Sequence, residues 1–173
     1  MPHTSLQVVC GIKCSIEYSN TKTKEKALKK ARKEKKEGLE NLMTNSQWKQ
    51  KLQTYFNTFI RLRDLKKGCV SCETSLENRK FDAGHYYSCG SYPELRFNED
   101  NVHGQCVTCN QHKHGNLIEY TKRLPLRIGE VKFHSLEVKA HIKQKYSIPE
   151  LKDLIEHYKQ KIKILKHENK QRN

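Results

Sequence analysis

No stretch of this sequence stays apolar for the roughly 18 residues that a membrane span needs, and its first residues lack the hydrophobic core of a signal peptide. Hydrophobic residues make up only 35% of the chain and the mean hydropathy is −0.93, so a core of ordinary size cannot extend through all 173 residues. One compact domain of about 100 residues with an appendage is the expected organisation. Acidic residues are also in short supply: 19 Asp and Glu stand against 34 Lys and Arg, a net charge of +15 with a pI near 9.5. That imbalance points to a polyanion, most simply nucleic acid. No long basic helix carries the wide aromatic face that would suggest a membrane surface instead. A soluble, intracellular protein without a membrane partner is therefore expected. In that reducing setting seven cysteines, six of them in close pairs, favour metal over disulfides. A metal is also one way for a small core to gain stability.

The rest of the chain is organised around residues 69–120. Cys69 and Cys72 form one C-x2-C pair, Cys106 and Cys109 a second, with 33 residues between the pairs. Four thiolates so arranged make a closed tetrahedral zinc site. The interval leaves room for a hairpin: a strand over 79–87, a turn region at 89–93 and a return strand or loop over 101–105. A helix is expected from about Cys109 to Leu124, interrupted by Pro125. The expected fold class is α+β: a small ββα-metal (HNH or treble-clef-like) core clamped by structural Zn2+, flanked by an N-terminal basic helical arm and C-terminal helices.

The polar residues held by that clamp suit phosphodiester hydrolysis. The reaction needs an activated water, counter-charge for the transition state and help for the leaving oxygen, which one divalent ion and one imidazole can supply. Mg2+ or Mn2+ takes oxygen ligands. Asp82 offers a carboxylate on the first strand, and Asn110, directly after the last zinc cysteine, offers an amide oxygen. His85 is the candidate general base, since an ordinary imidazole titrates near pH 6.5. His114, one helical turn after Asn110, is a further candidate ligand or phosphate-orienting group. Lys113 and Arg79 can balance developing negative charge. Asn101 can bridge the loop backbone to the first strand and hold the histidine. His103 and His112 are expected to be solvated or to support these groups from behind, and Cys89 to be a core thiol.

Four segments flank this core. Cys10 and Cys14, with His3 upstream, are an incomplete metal site or simply small residues at a terminus. Residues 22–38 hold nine Lys and Arg against three Glu and read as a helix stopped by Gly38. Lys29, Lys30, Arg32 and Lys33 in it are candidate phosphate contacts, as are Arg79 and Arg96 in the core. From Ser46 to Leu65, Trp48, Leu52, Tyr55, Phe56, Phe59 and Leu62 recur at helical spacing, with Arg61 and Arg63 near the end as candidates to face DNA. A last helix opens on a Ser147/Glu150 capping box. Its stripe of Leu151, Leu154, Ile155, Tyr158, Ile162 and Leu165 either docks on the domain or pairs with a second chain. The expected domains are 1–44, 45–130 and 131–173.

The run D-A-G-H-Y, then P-E-L-R-F-N-E-D-N-V-H-G-Q-C-V-T-C-N-Q-H-K-H-G-N, followed by Y-T-K-R-L and R-I-G, closely resembles the phage lambda NinG (Rap recombinase) family. The likeness runs from about Trp48 to Gly129 and more weakly to the last helix. It implies a phage or prophage protein in the host cytoplasm that cleaves branched DNA, including Holliday junctions and D-loops, during recombination. The arrangement also looks like the zinc-bearing resolvase of phage T4, a likeness that implies Asp82 and Asn110 as catalytic metal ligands and His85 as base. Two departures are visible. Ala83 and Gly84 separate Asp82 from His85 where many HNH enzymes have the pair adjacent, which calls for a strand bulge or a longer D-x-x-H arrangement. Family members also tend to carry a fuller N-terminal cysteine cluster. Symmetric cutting of a four-way junction takes two sites, so a homodimer is expected. The competing readings are a non-catalytic zinc-ribbon accessory factor that binds DNA and a duplex-specific HNH endonuclease.

Overall fold

A computed structural model describes residues 8–171, except the side chain of Lys170, and falls into two compact units that meet in sequence at Thr44 and Asn45. The first unit is one helix, α1 (Ile12–Asn41), in which ten Lys and Arg stand against five Glu and no residue is buried. Ala, Leu, Lys, Arg and Glu are strong helix formers, and propensity alone carries much of a 30-residue helix. The expected stop at Gly38 is not there. A single glycine weakens a helix by only about 1 kcal/mol, and α1 runs three residues past it. Its start is also earlier than expected, so Cys14 lies inside the helix. His3 falls outside the described residues.

The second unit begins with α2 (Asn45–Asp64), whose Trp48, Leu52, Phe56, Phe59 and Ile60 are buried. Helix α5 (Ile148–Gln171) lies against it through Leu151, Ile155 and Tyr158. The Tyr158 ring sits 5.1 Å from Phe56 and 5.3 Å from Phe59. Of the two fates open to the α5 stripe, docking is thus the one its first half adopts. The capping box forms: the Ser147 amide donates to Glu150 Oε2 at 2.8 Å, and the Glu150 amide to Ser147 Oγ at 3.4 Å.

Between these helices the chain makes a two-stranded antiparallel hairpin of β1 (Phe81–His85) and β2 (Val102–Cys106), paired Phe81 with Cys106 through His85 with Val102. The register is continuous, so the bulge that the Asp82/His85 spacing called for is absent. Both glycines of the hairpin are required by close approach. A Cβ on Gly104 would lie 2.8 Å from Leu76 and 3.0 Å from Asp64 Cβ, and one on Gly84 would overlap the Gln105 amide.

The helix expected from Cys109 is broken. Residues Thr108–His112 form one π-type turn, then His114, Gly115 and Asn116 take left-handed backbone angles before α3 (Leu117–Ile128) starts. Pro125 does not interrupt α3. It sits in the last turn, where its missing N–H denies a donor to the Thr121 carbonyl alone, and its own carbonyl accepts the Gly129 amide at 2.8 Å. Helix α4 (Glu130–Lys139) follows, packing Leu136 and Phe133 with Tyr120, Leu124, Val70 and Leu95. The α+β class holds for this small sheet among helices.

Candidate metal and catalytic site

The cysteine cluster assembles as its spacing requires. The Sγ atoms of Cys69, Cys72, Cys106 and Cys109 all lie within 4.8 Å of one another. A zinc tetrahedron with bonds of about 2.3 Å has edges of about 3.8 Å, and Cys72 Sγ to Cys106 Sγ is 3.7 Å. The donor set therefore fits zinc. The first knuckle turns on Gly68 and Glu73, both at positive φ, with the Cys69 amide donating to the Thr74 carbonyl at 2.8 Å. Amides of Cys106 and Cys109 donate to Cys69 Sγ and Cys106 Sγ at 3.4 Å, and Asn116 Nδ2 to Cys109 Sγ at 3.4 Å. Such N–H donors favour thiolate sulfur. Burial pushes the Cys109 thiol up to about 12. At Cys72 burial is outweighed by the Thr74 hydroxyl and amide, which bring the thiol down to about 6. Leu76, Phe81 and Leu65 wall the cluster on its inner side.

Because Asn110 directly follows Cys109, the knuckle delivers its amide to β1: Asn110 Nδ2 donates to Asp82 Oδ2 at 2.9 Å. Gln111 Nε2 reaches the same oxygen at 2.7 Å. Gln111 was not foreseen, although its place beside Asn110 is a usable signal. The half-buried Asp82 carboxylate thus accepts from two side-chain amides on the same oxygen.

His85 ends β1. Its Nε2 lies 3.0 Å from the Arg96 carbonyl, which only accepts, so Nε2 is the nitrogen placed to donate there, and the Ala83 carbonyl also acts on the ring. Burial lowers its pKa below the ordinary 6.5, partly opposed by the hydrogen bond to Arg96, and the neutral form prevails at neutral pH. Strand alternation sends positions 82 and 84 to one face and 83 and 85 to the other. No hydrogen bond among the described residues joins His85 to Asp82 or Asn110.

Asn101 is fully buried. Its Oδ1 accepts the Tyr87 amide at 2.8 Å, while Nδ2 donates to the carbonyls of Tyr87 at 3.0 Å and Leu95 at 3.1 Å. It therefore ties the chain beyond His85 to the short 3-10 turn Pro93–Leu95 that precedes Arg96. Lys113 and His114 are exposed beyond the π turn, and His114 is not one helical turn above Asn110, because the helix breaks between them. Arg79 is exposed just before β1, and Lys29, Lys30, Arg32 and Lys33 are exposed on α1. Two of them have acidic partners, Lys30 with Glu34 at 3.9 Å and Lys33 with Glu37 at 3.8 Å. Arg96 is half-buried, with Nε donating to Gln53 Oε1 at 2.8 Å.

Arg63 faces inward rather than toward a ligand. It holds Asp64 through Nε and Nη2 at 2.8 Å each, and donates to the carbonyls of Glu99 and Val102 at 2.9 and 2.7 Å. His103 is buried, not solvated, while His112 is exposed. Cys10 Sγ and Cys14 Sγ are 3.3 Å apart. Cys89 is half-buried outside the four-thiol cluster. No helix among the described residues is long and apolar enough to cross a membrane.

Comparison with known proteins extends the resemblance beyond the core. The family model described as Bacteriophage Lambda NinG protein matches residues 1–168. The chain is 43% identical over 125 residues to Protein ninG of Escherichia phage lambda, covering 72% of this chain and 60% of that protein. It is 42% identical over 125 residues to Protein ninG of Salmonella phage P22 and 41% over 125 to that of Escherichia phage 933W, each covering 72% of this chain and 61% of the relative. The matched part thus spans about 60% of the length of these relatives. No solved structure matches.

Proposed function

We propose, from the premise that this chain belongs to the phage lambda NinG family, that it is a metal-dependent endonuclease that nicks branched DNA during recombination. The observation that carries the reading is the pairing of Asp82 with Asn110 directly behind the last thiol of the cluster. A zinc ion in the thiols would fix the π turn, and the π turn fixes Asn110 against the strand. Asp82 and Asn110 would hold Mg2+ or Mn2+, which would supply charge against the developing phosphorane and a contact for the leaving 3′ oxygen.

The protein's own residues do the remaining work. His85 takes the proton of the attacking water at Nδ1, its ring fixed through Nε2–H on the Arg96 carbonyl. Asn101 acts as a positioning residue, tying Tyr87, two residues after His85, to Leu95, the residue before Arg96. Lys113, His114 and Arg79 contact phosphate near the cut, and the α1 lysines and arginines add affinity through the backbone. Shape rather than base sequence selects the substrate, and two copies of the chain cut a four-way junction. Asp82 and His85 leave the strand on opposite faces, so the proposal requires the scissile phosphate to sit at the strand end, where His85 is the last residue.

The test is cleavage of an end-labelled four-way junction and a matched linear duplex in Mg2+ or Mn2+. His85→Ala is expected to lose about 10²–10⁴ in rate and to keep its junction affinity. Equal cutting of the linear duplex would assign a general HNH nuclease. Tight junction binding without cutting by the wild type in either metal would assign the accessory factor.

A further inference from the structure

A cavity of about 280 Å3 opens on the side of the second unit where the end of α2, the start of β2 and the α3–α4 corner converge. Arg63, Lys67, Arg127 and Lys132 line it, with Glu99, Asp100 and His103. Most of these charges have assigned work. Arg63 and Lys67 serve the buried Asp64, Lys132 Nζ lies 3.3 Å from Asp100, and Glu99 accepts from Tyr158 and Lys161. Arg127 does not fit that accounting. Its Nη2 donates to the carbonyls of Lys67 and Gly68 at 3.0 and 3.2 Å, while Nη1 is buried with no hydrogen-bond partner among the described residues. Buried guanidinium nitrogens without acceptors are rare and call for a ligand, ion or water.

The floor of the cavity points the same way. Tyr120 Oη donates to the Gly84 carbonyl at 3.2 Å, so His103 Nδ1, 3.2 Å from that oxygen, is the donor and Nε2 carries the lone pair. His103 is held neutral, its pKa down to about 3, by burial and then by Arg63, with Arg127 and Lys67 adding and Asp64 opposing. Burial is the chief cause of that neutrality, and Arg63, Arg127 and Lys67 add to it. Helix α4 also begins at this corner, after Gly129, without a side-chain cap.

We propose that this cavity is a phosphate-binding pocket in which Arg127, Lys132 and Lys67 take one tetrahedral oxyanion over His103. The phosphate comes either from DNA or from a free phosphate ion. An anion there would give the Arg127 guanidinium a charged partner and make protonation of His103 easier. Only the DNA source rests on the nucleic-acid reading above; the pocket itself needs neither cleavage nor a catalytic metal.

The test uses the full chain with its zinc and inorganic phosphate as probe, followed by NMR of the His103 ring and the Arg127 side chain. Saturable shifts in both are expected, with a rise in the His103 pKa. Arg127→Gln should weaken the effect about tenfold. Lys132→Gln, an exposed change that leaves the Arg127 carbonyl contacts in place, should weaken it severalfold, which guards against misfolding of the first variant. No saturable shift in the wild type, or unchanged shifts in both variants, would overturn the pocket. A duplex oligonucleotide is then added. Displacement of phosphate at the same resonances, with the salt slope of DNA binding reduced by about 0.9 in Arg127→Gln, assigns a DNA phosphate. Saturation by phosphate with no response to DNA keeps the pocket and assigns the free ion.

Discussion

Replacing Asp64 with alanine should destabilise the second unit more than any single change at the proposed catalytic residues. The carboxylate is fully buried and accepts from Arg63 Nε and Nη2, from the Gly104 amide at 2.8 Å and from Lys67 at 3.5 Å. Its loss leaves Arg63, only 18% exposed, without its counter-ion, and leaves the Gly104 N–H in the centre of β2 unpaired. Breaking a buried pair from one side costs about 3–5 kcal/mol, a figure that includes groups left unsatisfied, against a total stability of about 5–15 kcal/mol. The double change Arg63→Met with Asp64→Leu removes both charges but takes the Arg63 donors from the Glu99 and Val102 carbonyls as well as the acceptor from the Gly104 amide, about 1–3 kcal/mol for each group left unsatisfied. It should therefore be no more stable than the single variant. The pH dependence has a definite sign. Burial alone would raise the Asp64 pKa, but Arg63 and the Gly104 amide outweigh it and hold it below 3.8. Its contribution is thus present above pH 3.8 and is lost as pH falls through the lowered value. Urea unfolding of the three proteins, monitored by tryptophan fluorescence from Trp48 in α2, gives the comparison. A cost under about 1 kcal/mol for Asp64→Ala would refute the clamp.

Asn101→Ala removes three hydrogen bonds to the backbone around His85 and Arg96, so it should cost about 2–4 kcal/mol and slow cleavage; unchanged stability in urea would contradict the structural part. Removing zinc with a strong chelator should release one zinc per chain and free the π turn, with loss of protection at the Asn110 and Gly115 amides in hydrogen exchange; protection that survives chelation would count against the clamp. Gly84→Ala should cost about 1–3 kcal/mol, because the overlapping Gln105 side chain is fully buried, and thermal melts that match the wild type would show that the hairpin can shift.

The metal cluster was legible because zinc chemistry fixes ligand type and spacing together, so four letters in two pairs carry three-dimensional information. Asp82 and Asn110 could be paired for a related reason, since Asn110 inherits its place from Cys109. The α2 and α5 faces were legible from periodicity alone. What periodicity could not give was the break after Asn110. Lys113, His114 and Asn116 are tolerable helix residues, and only Gly115 hints at the left-handed run that separates the π turn from α3. That run needs the Gly115 amide on the carbonyls of Cys109 and Asn110, at 3.0 Å each, a local geometry that no propensity encodes. Arg63 was misread for the opposite reason. On a +15 chain an arginine at a helix end reads as a DNA contact, and only the burial of its neighbour Asp64 turns it inward.

That inward turn links the two halves of the second unit. Arg63 holds the carbonyls of Glu99 and Val102, which flank Asn101, and Asn101 in turn holds Tyr87 and Leu95 on either side of the His85–Arg96 contact. One chain of buried polar bonds thus runs from α2 to the proposed base, while a separate chain runs from the zinc knuckle through Asn110 to Asp82. The two reach β1 from opposite faces and share no hydrogen bond among the described residues. Disturbing the first should move the His85 ring and leave zinc content intact, and disturbing the second should do the reverse. The Asn101 and Arg63 bonds hold the hairpin whether or not it is catalytic, so junction cleavage by wild type and His85→Ala is what separates the proposed nuclease from the accessory factor.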